Sequence, residues 1–355
     1  MEFYAQMDTK IVVTDENDID FKAINEAGRI IKEGGLVAFP TETVYGLGGD
    51  ALCPESSKKI YAAKGRPSDN PLIVHIADME HLAPIVSEIP KEAIKLSKAF
   101  WPGPLTMIMN KNDKVPYDTT GGLDTVAIRM PNNKIALKLI ELSGGYIAAP
   151  SANTSGRPSP TLARYCKEDL TGKIEMIIDG GQVGIGLEST IVDLTSEVPM
   201  ILRPGYITAE MLKDVLGEIS IDRTIIDSSS TQKPKAPGMK YRHYAPKGQL
   251  TIVQGSQNKV VEFINAETKK AASDGKRVGV IGTDSTRSLY EAEVVKSVGS
   301  RDDERTIAHE LFKVLREFDD ENIDVMFSES FDESGIGEAI MNRLLKAAGH
   351  NVVTV

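Results

Sequence analysis

The sequence predicts an α/β protein of two domains, a large N-terminal one on a twisted mixed sheet and a small C-terminal one on a parallel sheet. Three observations predict it. The chain has 355 residues, against roughly 100–200 for a usual domain. Over 1–215, short β-branched runs alternate with segments of helical period, at spacings too uneven for a (β/α)8 barrel. Over 249–355, strand and helix patterns alternate regularly, which implies a parallel sheet with helices on both faces.

The elements follow in order. Ala23, Ile24, Ala27, Ile30 and Ile31 recur at helix spacing, so a helix is expected over 21–32, stopped by Gly34-Gly35. Leu36-Val37-Ala38-Phe39 reads as a buried strand. Further strands are expected at 72–76, 105–109, 126–129, 146–149, 176–179, 189–194 and 200–203, and helices at 55–63, 91–99, 134–143 and 207–216. Residues 216–248 break the pattern: Ser228-Ser229-Ser230-Thr231, Pro234, Pro237, Gly238 and Pro246 mark a loop. A loop this long is disordered or functional, and it ends in the aromatic and basic run Lys240-Tyr241-Arg242-His243-Tyr244. Beyond it, strands are expected at 250–253, 278–281, 323–327 and 351–355, and helices at 257–273, 303–318 and 335–348.

Composition removes several classes. The net charge of −10, from 41 basic and 51 acidic residues, excludes a general DNA binder, because duplex affinity comes from neutralising many phosphates. The charge is uneven: 22 basic and 29 acidic residues in 1–215, 6 and 3 in 216–248, 13 and 19 in 249–355. A basic connector thus joins two acidic blocks, either as a solvated linker or as a flap that meets an anion. Cys53 and Cys166 are too few and too far apart for a disulfide framework or a multi-cysteine zinc site, and suit a reducing cytosol. No apolar run reaches the roughly 18–20 residues of a membrane span. Met1-Glu2-Phe3-Tyr4 lacks the regions of a secretory signal. A cytoplasmic protein without membrane contact is expected.

Five segments carry chemistry. Thr41-Glu42-Thr43 follows a strand and runs into a glycine-rich bend at Gly46, Gly48 and Gly49, offering hydroxyls and backbone to a polar ligand or simply forming a satisfied turn. Lys64 and Arg66 end a helix before Asn70 and His75; they complement the helix dipole or form an anion cradle. His75 alone in a strand reads more readily as a core residue than as a ligand. Arg129 ends the apolar strand begun by Thr125, so it must reach a carboxylate, from protein or ligand. Ala149, Ser151, Asn153, Ser159 and Thr161 combine small side chains with hydroxyls and amides, although Ser159 or Thr161 could be a plain helix cap. Glycine loops at 180–186 lead into Glu188-Ser189-Thr190 and are followed by Arg203-Pro204-Gly205, a pattern that exposes N–H groups to anions. There is no Walker A sequence, no full dinucleotide fingerprint, no histidine beside either cysteine and no metal-ligand spacing among the five histidines. The inventory suits a phosphate-bearing ligand held by positioning, without a covalent enzyme intermediate.

These segments, in this order, resemble the threonylcarbamoyl-AMP synthase family, the YrdC-like enzymes of tRNA modification. The likeness lies in 40–46, 64–72 with His75, Arg129 before Pro131, 151–161, 188–193 and Arg203-Pro204-Gly205. Residues 237–246 and 335–344 resemble the linker and last helix of the long, two-domain branch, which leaves roughly the first 20 residues uncovered. The resemblance implies a YrdC-like domain at 1–215, a linker at 216–248 that closes over the active site, and a Rossmann-like domain at 249–355. It implies that L-threonine, bicarbonate or CO2, and ATP give threonylcarbamoyl-AMP and pyrophosphate. A partner complex then transfers the threonylcarbamoyl group to tRNA beside the anticodon, so this chain's own tRNA contact is indirect or weak. It further implies Thr43, His75, Arg129, Ala149 and Ser189 around threonine, with Arg129 on the carboxylate. ATP falls to Arg66, Asn70, Thr125, Ser151, Ser159 and Arg203, with Lys64 and Asn153 close by and Tyr241 reaching in from the linker. Mg2+ would arrive on the ATP phosphates rather than in a protein cage. No side chain is expected to act as a nucleophile; Lys64 and Arg66 are the best candidates for electrostatic work and are expected to matter more for turnover than for folding.

Two rivals use the same residues. A non-catalytic RNA-binding or ribosome-associated module would use the cations and stack bases on the linker aromatics, against the acidic total charge. A carbamoyltransferase fed by carbamoyl phosphate is opposed by the linker and by the absence of accessory zinc-finger spacing.

Overall fold

The computed structural model describes residues 7–222 and 243–355. These form two units: one from 7–222, less Gly156–Pro158 and Ile185–Leu187, and one from 243–355 together with those two short segments. In the first unit the strands are β1 (Lys10–Val13), β2 (Val37–Phe39), β3 (Gly46–Asp50), β4 (Ile73–His75), β5 (Leu105–Asn110), β6 (Thr125–Arg129), β7 (Ile147–Ala148), β8 (Met176–Asp179), β9 (Thr190–Asp193), β10 (Met200–Arg203) and β11 (Ser220–Ile221). They join in the order β1-β8-β2-β3-β7-β4-β6-β5-β9-β10-β11. Pairing is mixed, parallel for β4 with β6 and antiparallel for β5 with β6. The helices are α1 (Phe21–Lys32), α2 (Pro54–Lys64), α3 (Lys91–Phe100), α4 (Tyr117–Thr120), α5 (Lys134–Leu142), α6 (Ala163–Leu170) and α7 (Ala209–Leu216).

Side chains alternate across the strands, and this separates the two faces. On one face Val74, Ile128, Met107 and Val192 join the large core that also takes Ile60, Leu96 and Leu212 from α2, α3 and α7. On the other, α1 and α5 pack Ile24, Ile31, Leu139 and Ile140 against Phe39, Ile147 and Met176. Farther across that second face lies a cluster made of strand residues alone, Ile73, Ala127, Ile108, Ile191 and Leu202.

Every strand and helix expected in the N-terminal block is present within a few residues, but several elements were not legible. The glycines expected as a bend form β3 instead. The reason is crowding: a Cβ at Gly48 would come within 2.9 Å of both Ile147 and Phe39, so only a bare backbone fits between them. Neither Ser159 nor Thr161 caps a helix, since α6 begins after Leu162 without a side-chain cap. Regular structure also persists past residue 215, because β11 pairs in parallel with β10. Most of the expected linker, Tyr241 included, lies outside the described residues.

The second unit is a five-stranded parallel sheet in the order β14-β13-β15-β12-β16. Its strands are β12 (Gln249–Gln254), β13 (Val278–Gly282), β14 (Val294–Ser297), β15 (Val325–Glu329) and β16 (Val352–Thr354); its helices are α8 (Gln257–Ser273), α9 (Glu304–Asp320) and α10 (Ile336–Ala347). β14 carries no clear signal in the sequence, because its four residues are half-buried at a sheet edge and show no periodicity. Among the described residues, no helix is long and apolar enough to cross a membrane.

Candidate active site

Strand register assembles the site. His75 pairs with Arg129, Arg129 with Thr106, Thr106 with Ile191, and Ile191 with Arg203. One row therefore crosses five strands, from β4 to β10, and cross-strand partners share a face. His75, Arg129 and Thr106 each stand two residues from Ile73, Ala127 and Ile108 of the strand-only cluster. The face is apolar along the strands and polar at one end of each.

Arg129 is the hub. It is 4 % exposed. Its Nη1 donates to the Thr43 hydroxyl at 2.9 Å and its Nε to the Gly103 carbonyl at 3.4 Å. Its Nη2 lies 2.7 Å from Glu42 Oε2. That contact is one of charge and not an in-line hydrogen bond, so among the described residues Nη2 and both Glu42 oxygens are buried without a hydrogen-bond partner. The carboxylate demanded by a charge at the end of an apolar strand is thus supplied by the protein. Nearby, Ser189 shares a 2.7 Å hydrogen bond with Thr106, and Arg203 donates to the Ser189 carbonyl at 3.0 Å and to its hydroxyl at 3.1 Å.

His75 is buried, its Nδ1 3.2 Å from the Ile73 carbonyl. Burial, and then the Arg129 cation, push it down to about 3 from its ordinary 6.5. The ring is neutral near pH 7 and is a weak base. Unfolded His75 takes up a proton near pH 6.5, whereas the folded ring does so only near 3. This contribution to stability is therefore full above pH 6.5 and is lost as pH falls through that window. His75→Gln is expected to lose less stability than the wild type across the same window, by roughly a few kcal/mol. Urea unfolding at neutral and acid pH measures the difference; parallel pH profiles for the two proteins would refute it.

A second network centres on Lys64, at the end of α2. The residue is 2 % exposed, and its ammonium donates to the Ser151 carbonyl and, at 2.5 Å, to the Asn153 carbonyl. The Ser151 hydroxyl donates to Asn153 Oδ1 at 2.5 Å. Lys64 is thus tied into the fold as well as standing near the expected nucleotide site, so its loss is expected to cost stability along with turnover. Arg66 makes longer bonds, 3.2–3.4 Å, to the Asn70 and Pro71 carbonyls. Asn70 is buried and its Oδ1 finds no hydrogen-bond partner among the described residues. The Ser159 hydroxyl donates to Glu188 at 2.5 Å. Ala149 is buried on the backbone of Ile73, its N–H 2.9 Å from that carbonyl. Thr125 occupies the same face of β6 as Arg129, about 13 Å along the strand.

The structure therefore joins Thr43, Arg129, Ser189 and Arg203 through the polar row, with His75 in register, and joins Lys64, Ser151 and Asn153 in a second group. Arg66 with Asn70, and Ser159 with Glu188, form separate pairs. Glu42 and Thr106 were not assigned roles from sequence. The signal for Glu42 was the buried Arg129 needing a counter-charge, and for Thr106 a hydroxyl interrupting Leu105-Thr106-Met107-Ile108-Met109. Among the described residues, no group of three or more His, Cys, Asp or Glu could hold a metal.

Comparison with known proteins agrees with this architecture. A family model described as "Telomere recombination" matches residues 29–205, and one described as "Threonylcarbamoyl-AMP synthase, C-terminal domain" matches 207–349. A threonylcarbamoyl-AMP synthase of Pyrococcus abyssi is 51% identical over 97% of this chain and 99% of its own length. One from Bacillus subtilis is 48% identical over 96% and 97%. A crystal structure of P. abyssi Sua5 complexed with L-threonine superimposes with a TM-score of 0.93 at 51% identity, covering 98% of this chain and all of that one. Both domains, in sequence and in fold, place the chain in the threonylcarbamoyl-AMP synthase family, in its two-domain form.

Proposed function

We infer that this protein condenses L-threonine, bicarbonate or CO2, and ATP into threonylcarbamoyl-AMP, releasing pyrophosphate. The observation that carries this reading is the buried row of fixed cations and hydroxyls around Arg129, in which, among the described residues, Nη2 and Glu42 meet only as a charge pair and make no hydrogen bond. Orphaned buried groups cost stability, and a substrate with both a carboxylate and N–H donors meets both needs. Arg129 takes the threonine carboxylate with Thr43 and Ser189 beside it, and Ala149 and neutral His75 wall the pocket. Arg66, Asn70, Thr125, Ser151, Ser159 and Arg203 hold ATP, with Lys64 and Asn153 shaping the loop beneath and Tyr241 contributing from the linker.

The threonine amine and CO2 form a carbamate, losing one proton to solvent. A carbamate oxygen then attacks the α-phosphorus of ATP. The new O–P bond forms as the bond to the bridging oxygen breaks, and that electron pair leaves with pyrophosphate. The carbamate is already nucleophilic, so the protein's contribution is orientation, which supplies roughly 7–11 kcal/mol in such steps, and fixed positive charge on the developing anion. ATP brings Mg2+ on its phosphates. The product is consumed by a transferase complex that modifies tRNA. Over the rival RNA-binding reading, this one has two full-length relatives in its favour.

The test is direct. Purified protein with ATP, Mg2+ and bicarbonate is expected to release pyrophosphate only when L-threonine is added, and a stoichiometric threonyl-carbamoyl adenylate should accumulate. Pyrophosphate release that ignores threonine would refute the reading.

A further inference from the structure

The C-terminal unit holds a cavity of about 380 Å3 that this reaction does not use. Strand order explains its place. β12 and β15 are neighbours, yet the chain leaves β12 toward β13 on one side and leaves β15 toward β16 on the other. Right-handed crossovers carry α8 and α10 to opposite faces of the sheet. The loops after β12 and β15 therefore part, and a crevice opens between the carboxyl ends of these strands, where open parallel sheets hold their ligands. The cavity is lined by both ends: Val253, Gly255 and Gln257 from the first, Glu329, Phe331 and Asp332 from the second.

Its chemistry is two-sided. At one side α8 begins at Gln257; its N-cap residue Ser256 makes no side-chain bond to the helix, and its first turn holds no acid. The first N–H groups and the positive end of the dipole remain for a ligand. Arg301, also on the wall, hydrogen-bonds among the described residues through Nη2, to the Glu329 carboxylate and, at 2.9 Å, to the Ser330 carbonyl. Its side chain is 42 % exposed and lies 5.2 Å from the centre of the Phe331 ring. Nε and Nη1 are left for a second acceptor. At the other side stands Glu329, 2 % exposed. It accepts from the Tyr290 hydroxyl at 2.7 Å, from the Thr286 hydroxyl and from Arg301. Its register partner across the sheet is the apolar Val253. Burying a carboxylate there is costly for a sheet that needs only an apolar residue at that position.

We propose that this crevice is a ligand site for a small phosphate monoester bearing hydroxyl groups. The phosphoryl group sits on the start of α8 and on Arg301, a pairing of helix N-terminus and guanidinium that suits a dianion. The hydroxyls donate to Glu329 and Asp332, which as carboxylates can only accept. Val253 and Val260 form the apolar floor.

Calorimetric titration of the full-length protein with ribose 5-phosphate, inorganic phosphate and ribose tests this, with Arg301→Gln and Ser256→Asp beside the wild type. Ser256→Asp puts a carboxylate where the phosphoryl group would lie while capping α8, so it should fold at least as well as the wild type. Saturable binding of ribose 5-phosphate is expected, tighter than inorganic phosphate and absent with ribose. Each variant should weaken it at least about tenfold, as for one lost charge-assisted hydrogen bond, with threonine-dependent pyrophosphate release unchanged. If Arg301→Gln does not fold, Ser256→Asp decides alone. No saturable binding, binding that survives Ser256→Asp, or equal affinity for ribose 5-phosphate and inorganic phosphate would overturn the proposal and leave the catalytic reading untouched.

Discussion

Arg129→Met is expected to abolish most threonine-dependent turnover and to destabilise the fold, and adding Glu42→Gln is expected to restore the stability alone. The methionine keeps most of the bulk and removes the cation. Glu42 is then left as a buried carboxylate with no counter-charge, and breaking a buried pair from one side costs about 3–5 kcal/mol. The Thr43 hydroxyl also loses its 2.9 Å donor. Neutralising Glu42 removes the orphaned charge, so the urea midpoint of the double variant should return toward the wild type. Turnover should not return. A fixed donor aimed at an anionic group is worth about 10²–10³ in rate, and no other cation in the row pairs with Thr43. The readouts are urea midpoints and initial rates of pyrophosphate release. A double variant that recovers both would show that Arg129 exists only to neutralise Glu42.

Arg129 also shows how far the sequence carries. A cation closing an apolar strand has to meet an anion, and this much was legible from local physics. Which anion was not, because Glu42 lies on a loop from another part of the chain. The same holds for the row as a whole. The strands around His75, Arg129, Thr106 and Arg203 each announce themselves through apolar runs, but their side-by-side alignment depends on pairing between distant segments. Register is a tertiary property. The motif resemblance supplied the residues; it could not supply their row. β3 failed for a different reason. Glycine disfavours strands, and only the bulk of Phe39 and Ile147 on either side makes it the fitting residue there. In the C-terminal unit, the expected strand at 323–327 stops short of Glu329, which β15 includes. The apolar pattern therefore ends before the charged residue that gives the crevice its chemistry.

Lys64→Met and Arg66→Ala are expected to part company, although they lie two residues apart and read alike in the sequence. The Lys64 ammonium is buried and donates to the carbonyls of Ser151 and Asn153. Removing it takes the donor from one half-buried and one buried carbonyl, at up to about 1–3 kcal/mol each, and loosens the loop that presents Ser151 and Asn153. Lys64→Met should therefore unfold at clearly lower urea and lose turnover as well. Arg66 is only half-buried, and its bonds to the Asn70 and Pro71 carbonyls are long, 3.2–3.4 Å. Its loss should cost under about 1 kcal/mol of stability, in the range of a typical weak hydrogen bond. As a planar fork beside the orphaned Asn70 Oδ1, it is placed to hold phosphate. Arg66→Ala should accordingly raise the KM for ATP and lower kcat, by about 10²-fold in kcat/KM, with a near-native midpoint. The KM for threonine should stay within twofold or so, since the proposed threonine site is at Arg129. Comparable midpoints for the two variants would show that Lys64 does not anchor the loop. An unchanged KM for ATP in Arg66→Ala would remove Arg66 from the nucleotide site.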